Sequence, residues 1–321
     1  MSEWTWHGGQ LARAQNAFGD SRAPWIDLST GINPNPWPGA DELAIDWTRL
    51  PDTDALADLE AAAAAYFGAD PACVLALPGT EIGLRLLGEH LPEPVRYRWP
   101  SYRTHAEMAP DAVAITPEAL ESGEGTLILA NPNNPDGRIA PPPVLRAQME
   151  AGWLVVDEAF ADTDPTHSLA GQVGPDRRLV VLRSFGKFFG LAGVRLGFAI
   201  TPAPLIDQLR ARLGAWPVSA AAIAIGAAAY RDRTWIAETR EQLSAQAAAL
   251  DHVLTAHGHS PAGACPLFRL IETDYAHGLF ERLARKSILT RPFDGNPRWL
   301  RIGLPANPAA LERLDAALAD G

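Results

Sequence analysis

Short apolar segments alternate with helix-forming segments through the middle of this chain, and this alternation limits the folds that it can adopt. The apolar segments are rich in Val, Leu and Ile and predict buried strands. Strands separated by helices predict an α/β fold, with a mostly parallel sheet covered on both faces. The predicted strands lie within TLILANPNNPDG (126–137), WLVVDEAF (153–160), RLVVLRSFGKFFG (178–190) and VRLGFAI (194–200), and CVLALPGTEIGLRLLGEHL (73–91) predicts a strand, a turn and a helix.

We expect three parts in the chain of 321 residues. Residues 1–40 are rich in Gly, Pro, Trp and Asn and predict an irregular N-terminal arm. Residues 41–214 hold the alternating segments and form the predicted large domain. Residues 215–321 hold helices and two apolar segments, which predict a smaller α+β domain.

Composition excludes several classes of function. The formal net charge of −11 disfavours binding to nucleic-acid phosphates. No apolar run reaches the roughly 20 residues that a membrane-spanning helix needs. The N-terminus lacks a signal-peptide pattern, and two cysteines cannot form a disulfide framework or a Cys-rich metal site. We therefore expect a cytoplasmic protein without a bound metal.

Unusual residues stand where four predicted strands end. They are Gly79-Thr80, Asn133-Asn134-Pro135, Asp157-Glu158 and the segment from Ser184 to Lys187. In open α/β sheets, ligands bind at the carboxyl ends of the strands. The convergence of these positions therefore indicates a binding site better than any one motif does.

Lys187 is one of only two lysines, the other being Lys286, because arginine is the cation elsewhere. A lysine amine becomes a nucleophile when burial or nearby positive charge lowers its pKa. The neighbouring phenylalanines could supply an apolar setting, and Arg183 or Arg195 the charge. On position alone, a lysine that reaches solvent from a strand end is the simpler interpretation.

Asp157 ends an apolar strand, and a buried carboxylate needs a cationic partner such as a protonated pyridine nitrogen or an arginine. A helix N-cap is the structural alternative. A magnesium site for a nucleotide is a third, but the chain has neither a phosphate loop of the GxxxxGK[ST] type nor a GxGxxG dinucleotide motif.

Four further positions each have a structural and a functional interpretation. The segment 79–81 opens a helix whose bare N–H groups could bind a phosphate, or it forms an ordinary turn. Asn134 lies in a turn and could donate to a phenolate oxygen. Tyr102 belongs to the core or stacks on a flat ring. Arg301 forms a surface ion pair or binds a carboxylate in a bidentate manner.

The order of the motifs PGT, PSY, NPNNPDG, DEAF, SFGK, a following Arg and a late Arg resembles the fold-type I pyridoxal-phosphate enzymes. This resemblance covers most of the chain and is specific as a set. The segments HGGQLARA (7–14) and DLSTGINPNPWP (27–38) resemble the N-terminus of the L-threonine-O-3-phosphate decarboxylases of cobalamin biosynthesis. That family is related to the histidinol-phosphate aminotransferases.

The resemblance implies a role for each matching residue. Lys187 would bind pyridoxal 5'-phosphate covalently, and Asp157 would keep the pyridine nitrogen protonated, which makes the ring an electron sink. Other cofactor contacts would come from Asn134 to the ring's O3′, Tyr102 by stacking, and Gly79, Thr80, Glu81, Ser184 and Arg195 around the phosphate. Arg301 and Arg291 would hold the substrate, with His7 and Asn33 of the arm facing its distal phosphate or carboxylate.

Three positions depart from the family pattern. Phe160 and Leu50 stand where the relatives have tyrosines, the second of which comes from a partner subunit. Gly186 stands where they have Ser or Thr before the lysine. Each departure removes a hydroxyl from the cofactor site. We therefore expect weaker retention of the cofactor than in relatives with all three hydroxyls.

The function implied by the resemblance is decarboxylation of L-threonine O-3-phosphate in a homodimer. A histidinol-phosphate aminotransferase is the first alternative, since the two families share almost all motif residues. A non-catalytic cofactor-binding regulator is the second. The HGG arm, the TGINP segment and the compact length favour the decarboxylase.

Overall fold

The computed structural model describes residues 4–19 and 23–319. The chain divides into two compact units. The arm unit comprises residues 1–35, 135–138 and 238–321, and the sheet unit comprises residues 36–134 and 139–237. The predicted domain boundaries after residues 40 and 214 stay predictions.

The regular elements in the described residues begin and end as follows. The helices are α1 (Leu11–Phe18), α2 (Thr53–Phe67), α3 (Thr80–Leu87), α4 (Arg103–Glu107), α5 (Pro142–Ala151), α6 (Phe185–Phe188), α7 (Ala203–Leu213), α8 (Ala220–Arg231), α9 (Arg233–Ala256), α10 (Ala276–Arg285) and α11 (Pro308–Ala319). The strands are β1 (Ile26–Asp27), β2 (Val74–Leu77), β3 (Val95–Arg98), β4 (Val113–Ile115), β5 (Thr126–Ala130), β6 (Trp153–Asp157), β7 (Leu179–Ser184), β8 (Gly197–Ile200), β9 (Phe268–Glu272), β10 (Ile288–Leu289), β11 (Arg291–Pro292) and β12 (Trp299–Gly303).

A seven-stranded sheet in the order β2-β8-β7-β6-β5-β3-β4 forms the centre of the sheet unit. The pairs from β4 through β3, β5 and β6 to β7 are parallel. Strand β8 is antiparallel to both of its neighbours, β7 and β2. The predicted α/β class with a mostly parallel sheet is therefore confirmed, although the segment VRLGFAI runs against the other strands.

The central strands are apolar on both faces because helices cover both faces. All residues of β5 and β2 are buried. One apolar cluster joins β2, β5, β6, β7 and β8 to helices α3 and α7. Asp52 caps the N-terminus of helix α2, where its carboxylate accepts from the Asp54 N–H, and Gly68, with a φ of 67°, caps the C-terminus.

A buried ion cluster fixes the ends of β6 and β7. Arg183 Nη1 donates to Glu158 Oε2 at 3.1 Å and to Ser168 Oγ at 3.0 Å, and Nη2 donates to Asp162. Burial raises the pKa of Glu158, and the positive charge of Arg183 opposes that change. Two carboxylates thus pair with Arg183, and its suggested influence on Lys187 stays a prediction.

The arm unit contains regular structure where the sequence predicted an irregular arm, so that prediction is wrong for α1 and β1. Strand β1 pairs in parallel with β10, and the Leu28 N–H donates to Leu289 O at 2.7 Å. The Gly303 N–H, at the end of β12, donates to Leu28 O at 2.7 Å. A Cβ on Gly303 would lie 2.6 Å from Thr30 O, so this close backbone contact requires glycine. Strands β11, β12 and β9 form a separate antiparallel sheet.

Within the part of the chain that the structure describes, no helix combines the length and the apolar character needed to cross a membrane.

The ion cluster leads to a prediction about stability. Arg183→Met should lower the free energy of unfolding by about 3–5 kcal/mol, because Glu158 and Asp162 would remain buried without a cation. Arg231→Met is the matched control, since the pair of Arg231 with Asp58 is more than half exposed on both sides and should contribute less than about 1 kcal/mol. Urea unfolding followed by circular dichroism measures both, and equal losses would contradict the assigned role of the cluster.

Candidate active site

Lys187 lies on the short helix α6, which follows β7 directly, and not at the strand end that the sequence predicted. Phe185 and Phe189, on either side of it, are fully buried and stack with their ring centroids 4.6 Å apart. Phe189 also stacks on Trp235 at 5.6 Å. Lys187 itself is half-buried. The aromatic core therefore packs around α6 and holds it in place.

Asp157 is the last residue of β6 and is 5% exposed. Its Oδ1 accepts from the Ala159 N–H at 3.1 Å, and its Oδ2 lies 3.3 Å from His105 Nε2. His105 is completely buried, and its Nδ1 has no hydrogen-bond partner among the described residues. Sequence reasoning missed His105. The available signal was its place on the same helical turn as Tyr102.

Ser184 at the end of β7, Gly197 at the start of β8 and the N-terminus of α3 lie close together. Ser184 pairs with Gly197 across β7 and β8, and a Cβ on Gly197 would lie 2.8 Å from Thr80 N. Gly79, with a φ of 90°, precedes α3, and its Cβ would lie 2.7 Å from Nη2 of the exposed Arg195. The fold thus brings the predicted phosphate-binding residues Gly79, Thr80, Ser184 and Arg195 together, with a guanidinium beside the N-terminus of α3, which is a favourable arrangement for a phosphate.

Tyr102 is half-buried, and its hydroxyl donates to Glu81 Oε2 at 2.9 Å. Burial, together with the hydrogen bond to Glu81, raises the pKa of Tyr102 to about 12. Its ring meets the His105 ring edge-on, with centroids 6.0 Å apart. Asn134 is buried at the start of the turn that follows β5, and the neighbouring Asn133 Nδ2 donates to Pro100 O at 2.9 Å. That bond ties the turn to the segment that leads into Tyr102.

Two arginines face each other in the arm unit. Arg291 on β11 and Arg301 on β12 are direct partners across the antiparallel pair. Arg301 is 3% exposed, and its Nη2 donates to Ser29 O at 2.8 Å. Burial lowers the pKa of Arg301, and the charge of Arg291 lowers it further. Like charges in opposed positions destabilise a sheet, so an anion bound between them would relieve the repulsion.

The predicted arm residues differ in their exposure. His7 is exposed, and its Nδ1 lies 2.8 Å from Gly8 O. Asn33 is 2% exposed, and its side-chain oxygen accepts from the Asn35 N–H at 2.9 Å. The Gly9 N–H donates to Ser29 Oγ at 2.8 Å. The HGG segment therefore lies against Ser29, the residue whose carbonyl oxygen binds Arg301.

The three departures from the family pattern have distinct surroundings. A Cβ on Gly186 would lie 2.6 Å from Ala192 Cα, so the backbone of the following loop occupies the space that a Ser or Thr needs. Phe160 is buried in the core, and Leu50 is 66% exposed. Gly186 and Phe160 are thus enclosed by the protein, and Leu50 is not.

Among the described residues, no group of three or more His, Cys, Asp or Glu side chains is placed to hold a metal ion.

Comparison with known proteins identifies the class. Residues 24–318 match the model of the aminotransferase class I and II family, and the chain belongs to that family. Over 97% of its length it is 42% identical to a threonine-phosphate decarboxylase of Pseudomonas aeruginosa, and the match covers 96% of that protein. It is 29% identical to a histidinol-phosphate aminotransferase of Thermobifida fusca, with 90% of this chain and 89% of that protein covered.

The fold agrees with solved structures of the same kind. A histidinol-phosphate aminotransferase of Sinorhizobium meliloti, solved in complex with pyridoxal-5'-phosphate, superposes with a TM-score of 0.81 at 21% identity. The match covers 97% of this chain and 94% of that one. The predicted fold of the pyridoxal-phosphate transferases is therefore confirmed. No comparison tests the roles of individual site residues, which stay predictions.

The loop against Gly186 leads to a second prediction. Gly186→Ser should weaken binding of pyridoxal phosphate, because the new Cβ displaces the loop at Ala192 and with it the residue next to Lys187. Overpacking of this kind also costs about 1–3 kcal/mol of folding stability. Titration of the apo-protein with pyridoxal phosphate gives the dissociation constant. Gly193→Ser is the control, since nothing lies within 4 Å of a Cβ there. Tighter binding by Gly186→Ser would show that the missing hydroxyl, and not the backbone, limits affinity.

Proposed function

We propose that this chain decarboxylates L-threonine O-3-phosphate to (R)-1-aminopropan-2-yl phosphate and CO₂, as a step in cobalamin biosynthesis. The observation that carries the proposal is the near full-length similarity to threonine-phosphate decarboxylase. The lower similarity to histidinol-phosphate aminotransferase makes transamination the second candidate. The paired cations Arg291 and Arg301 suit a substrate with two anionic groups.

The cofactor is pyridoxal phosphate, and the residues of the sheet unit fit it. Arg195, Ser184 and the N–H groups of Thr80 and Glu81 would hold its phosphate, and Gly79 leaves room for the Arg195 guanidinium, since a Cβ there would lie 2.7 Å from Nη2. When bound, the cofactor supplies an electron sink for the pair released at the substrate Cα. Asp157 would stabilise a proton on the ring nitrogen, because a buried carboxylate favours a positive charge beside it.

Lys187 would have two tasks. Its amine would hold the cofactor before substrate arrives, which arginine cannot do because its guanidinium stays protonated. Once CO₂ has left, Lys187 Nζ would deliver a proton to the Cα that lost the carboxylate, as a general acid. One proton is thereby taken up for each CO₂ released.

The residues that hold the substrate decide which bond at Cα breaks, because only the bond perpendicular to the cofactor ring is activated. A decarboxylase must hold the carboxylate in that direction, and an aminotransferase must hold the Cα–H bond there. Arg301 and Arg291 would bind the substrate's anionic groups, with His7 and Asn33 facing the distal one. Binding energy from the distal phosphate would then fix the geometry at Cα.

The experiment that tests the proposal supplies threonine phosphate without any keto acid. We expect release of CO₂ in amounts equal to the aminopropyl phosphate formed, measured by trapping of labelled CO₂ and by mass spectrometry. An aminotransferase needs a keto acid as amino-group acceptor. Turnover that occurs only with a keto acid, and without CO₂, would contradict the decarboxylase and support the second candidate.

The two lysines give a matched pair of variants for the same assay. Lys187→Ala should abolish both the visible absorbance of the bound cofactor and turnover. Lys286→Ala, which removes the only other lysine, should leave both unchanged. Retained turnover in Lys187→Ala would contradict the mechanism.

We also propose that the protein works as a cytoplasmic homodimer. Both cysteines are free and buried, which suits a reducing compartment. Trp47, Leu50 and Trp216 are 77%, 66% and 57% exposed, and Trp216 lines an apolar cavity of about 260 Å³ beside Pro51. A second copy would cover these side chains.

Sedimentation equilibrium should therefore give the mass of two chains and not the 34.4 kDa of one. Trp216→Glu should shift the equilibrium toward the monomer, because it places a charge in the proposed interface. Tyr275→Glu is the control, because Tyr275 is 69% exposed but belongs to the arm unit and is distant in sequence from Trp47, Leu50 and Trp216. A monomer at micromolar concentration would contradict the proposal.

A further inference from the structure

Glu81, in the first turn of α3, makes more hydrogen bonds than an ordinary surface carboxylate. Its Oε2 accepts from Tyr102 Oη at 2.9 Å and from Thr104 Oγ1 at 2.7 Å. Its Oε1 accepts from Arg85 Nε at 2.8 Å. Burial raises the pKa of Glu81, but the bonds from Thr104, Tyr102 and Arg85 together outweigh it, and the pKa lies below its usual range. Glu81 is therefore an ionised acceptor that holds two hydroxyl groups at once.

The two hydroxyls belong to one short segment that carries the cofactor-facing residues. Tyr102 is the N-cap residue of α4, and Thr104 and His105 lie in its first turn. His105 is the residue that contacts Asp157. A helix of five residues has little stability of its own. Its position must come from contacts such as those with Glu81.

The ion pair of Glu107, the last residue of α4, offers a comparison with the ion pair of Glu81. Arg85 Nη2 donates to Glu107 Oε2 at 2.8 Å, so Arg85 bridges the carboxylates of Glu81 and Glu107. The Glu107 side chain is 40% exposed and that of Glu81 is 31% exposed. Among the described residues, Glu107 has Arg85 as its only ion-pair partner. Its bond joins α3 to α4 without contact to Tyr102 or His105.

We propose that Glu81 is a positioning residue, which orients the Tyr102 ring as the platform for the cofactor and, through α4, holds His105 against Asp157. This inference rests on the proposed cofactor site and assigns a role to the side chain of a residue that the sequence implicated only through its backbone N–H. Hydrogen bonds to a charged acceptor are stronger than those to a neutral one. Replacing the Glu81 carboxylate by an amide should therefore weaken the hydrogen bonds that orient the Tyr102 ring, without changing the size of the Glu81 side chain.

The test uses the full-length holoenzyme with Glu81→Gln and, as matched control, Glu107→Gln. Circular dichroism in the visible band of bound pyridoxal phosphate reports the asymmetry of the ring's surroundings and thus the orientation of the platform. We expect Glu81→Gln to reduce or alter this band and to shift the pH dependence of its absorbance. Glu107→Gln removes the same charge from the other carboxylate that Arg85 binds. It should leave the dichroism band and the pH dependence of the absorbance as in the unaltered protein.

Kinetics give a second, independent readout. In Glu81→Gln we expect kcat for CO₂ release to fall about tenfold to a hundredfold, as misplacement of reacting groups by about 1 Å can cause. KM for threonine phosphate should change little, because the arm-unit arginines bind the substrate. A fall in both variants alike, or a rise in KM alone, would contradict a positioning role.

Two further variants decide the question if Glu81→Gln does not fold. Tyr102→Phe and Thr104→Val each remove one hydroxyl and keep the carboxylate. Altered dichroism in both would support the proposal, and an unchanged band in both would overturn it. The dichroism needs only the bound cofactor, so it tests Glu81 even if the unaltered protein releases no CO₂.

Discussion

The buried cluster of Arg183, Glu158 and Asp162 fixes the part of the molecule on which the site depends. Glu158 directly follows Asp157, and Arg183 directly precedes Ser184. The Glu158 N–H also donates to Leu182 O at 2.8 Å, which extends the β6–β7 ladder past its last strand residue. The cluster therefore sets the relative position of two strand ends. Buried ion pairs are often less stabilising than apolar replacements. We therefore attribute the presence of this cluster to the orientation that it imposes on the ends of β6 and β7.

Much of the sheet unit follows from sequence because parallel strands bring their carboxyl ends to one edge. Asn134, Asp157 and Ser184 could be placed at that edge without a structure. The position of Lys187 could not be predicted, because nothing in the segment SFGK (184–187) distinguishes a strand end from a single helical turn. His105 and the Glu81 side chain were missed for a related reason. Their contacts join residues that are 52 and 21 positions apart, which no local pattern encodes.

The arm shows a different limit of sequence reasoning. Its Gly- and Pro-rich composition predicted irregular backbone, yet Leu28 binds the backbone of both β10 and β12. Tertiary contacts, and not the local propensity of the sequence, therefore determine the backbone conformation at Leu28. Another close backbone contact explains the first glycine of the HGG motif, since a Cβ on Gly8 would lie 2.3 Å from Ser29 O. Ser29 in turn accepts the bond of Arg301, so the motif supports the proposed substrate site through the backbone and not through its histidine alone.

The most direct test of this account asks which lysine carries the cofactor. Borohydride reduction of the holoenzyme makes the bond between pyridoxal phosphate and its lysine permanent, and peptide mass spectrometry then locates it. With only two lysines in the chain the answer is unambiguous. We predict that the peptide with Lys187 gains the mass of the reduced cofactor. Label on Lys286, or on neither lysine, would contradict the account.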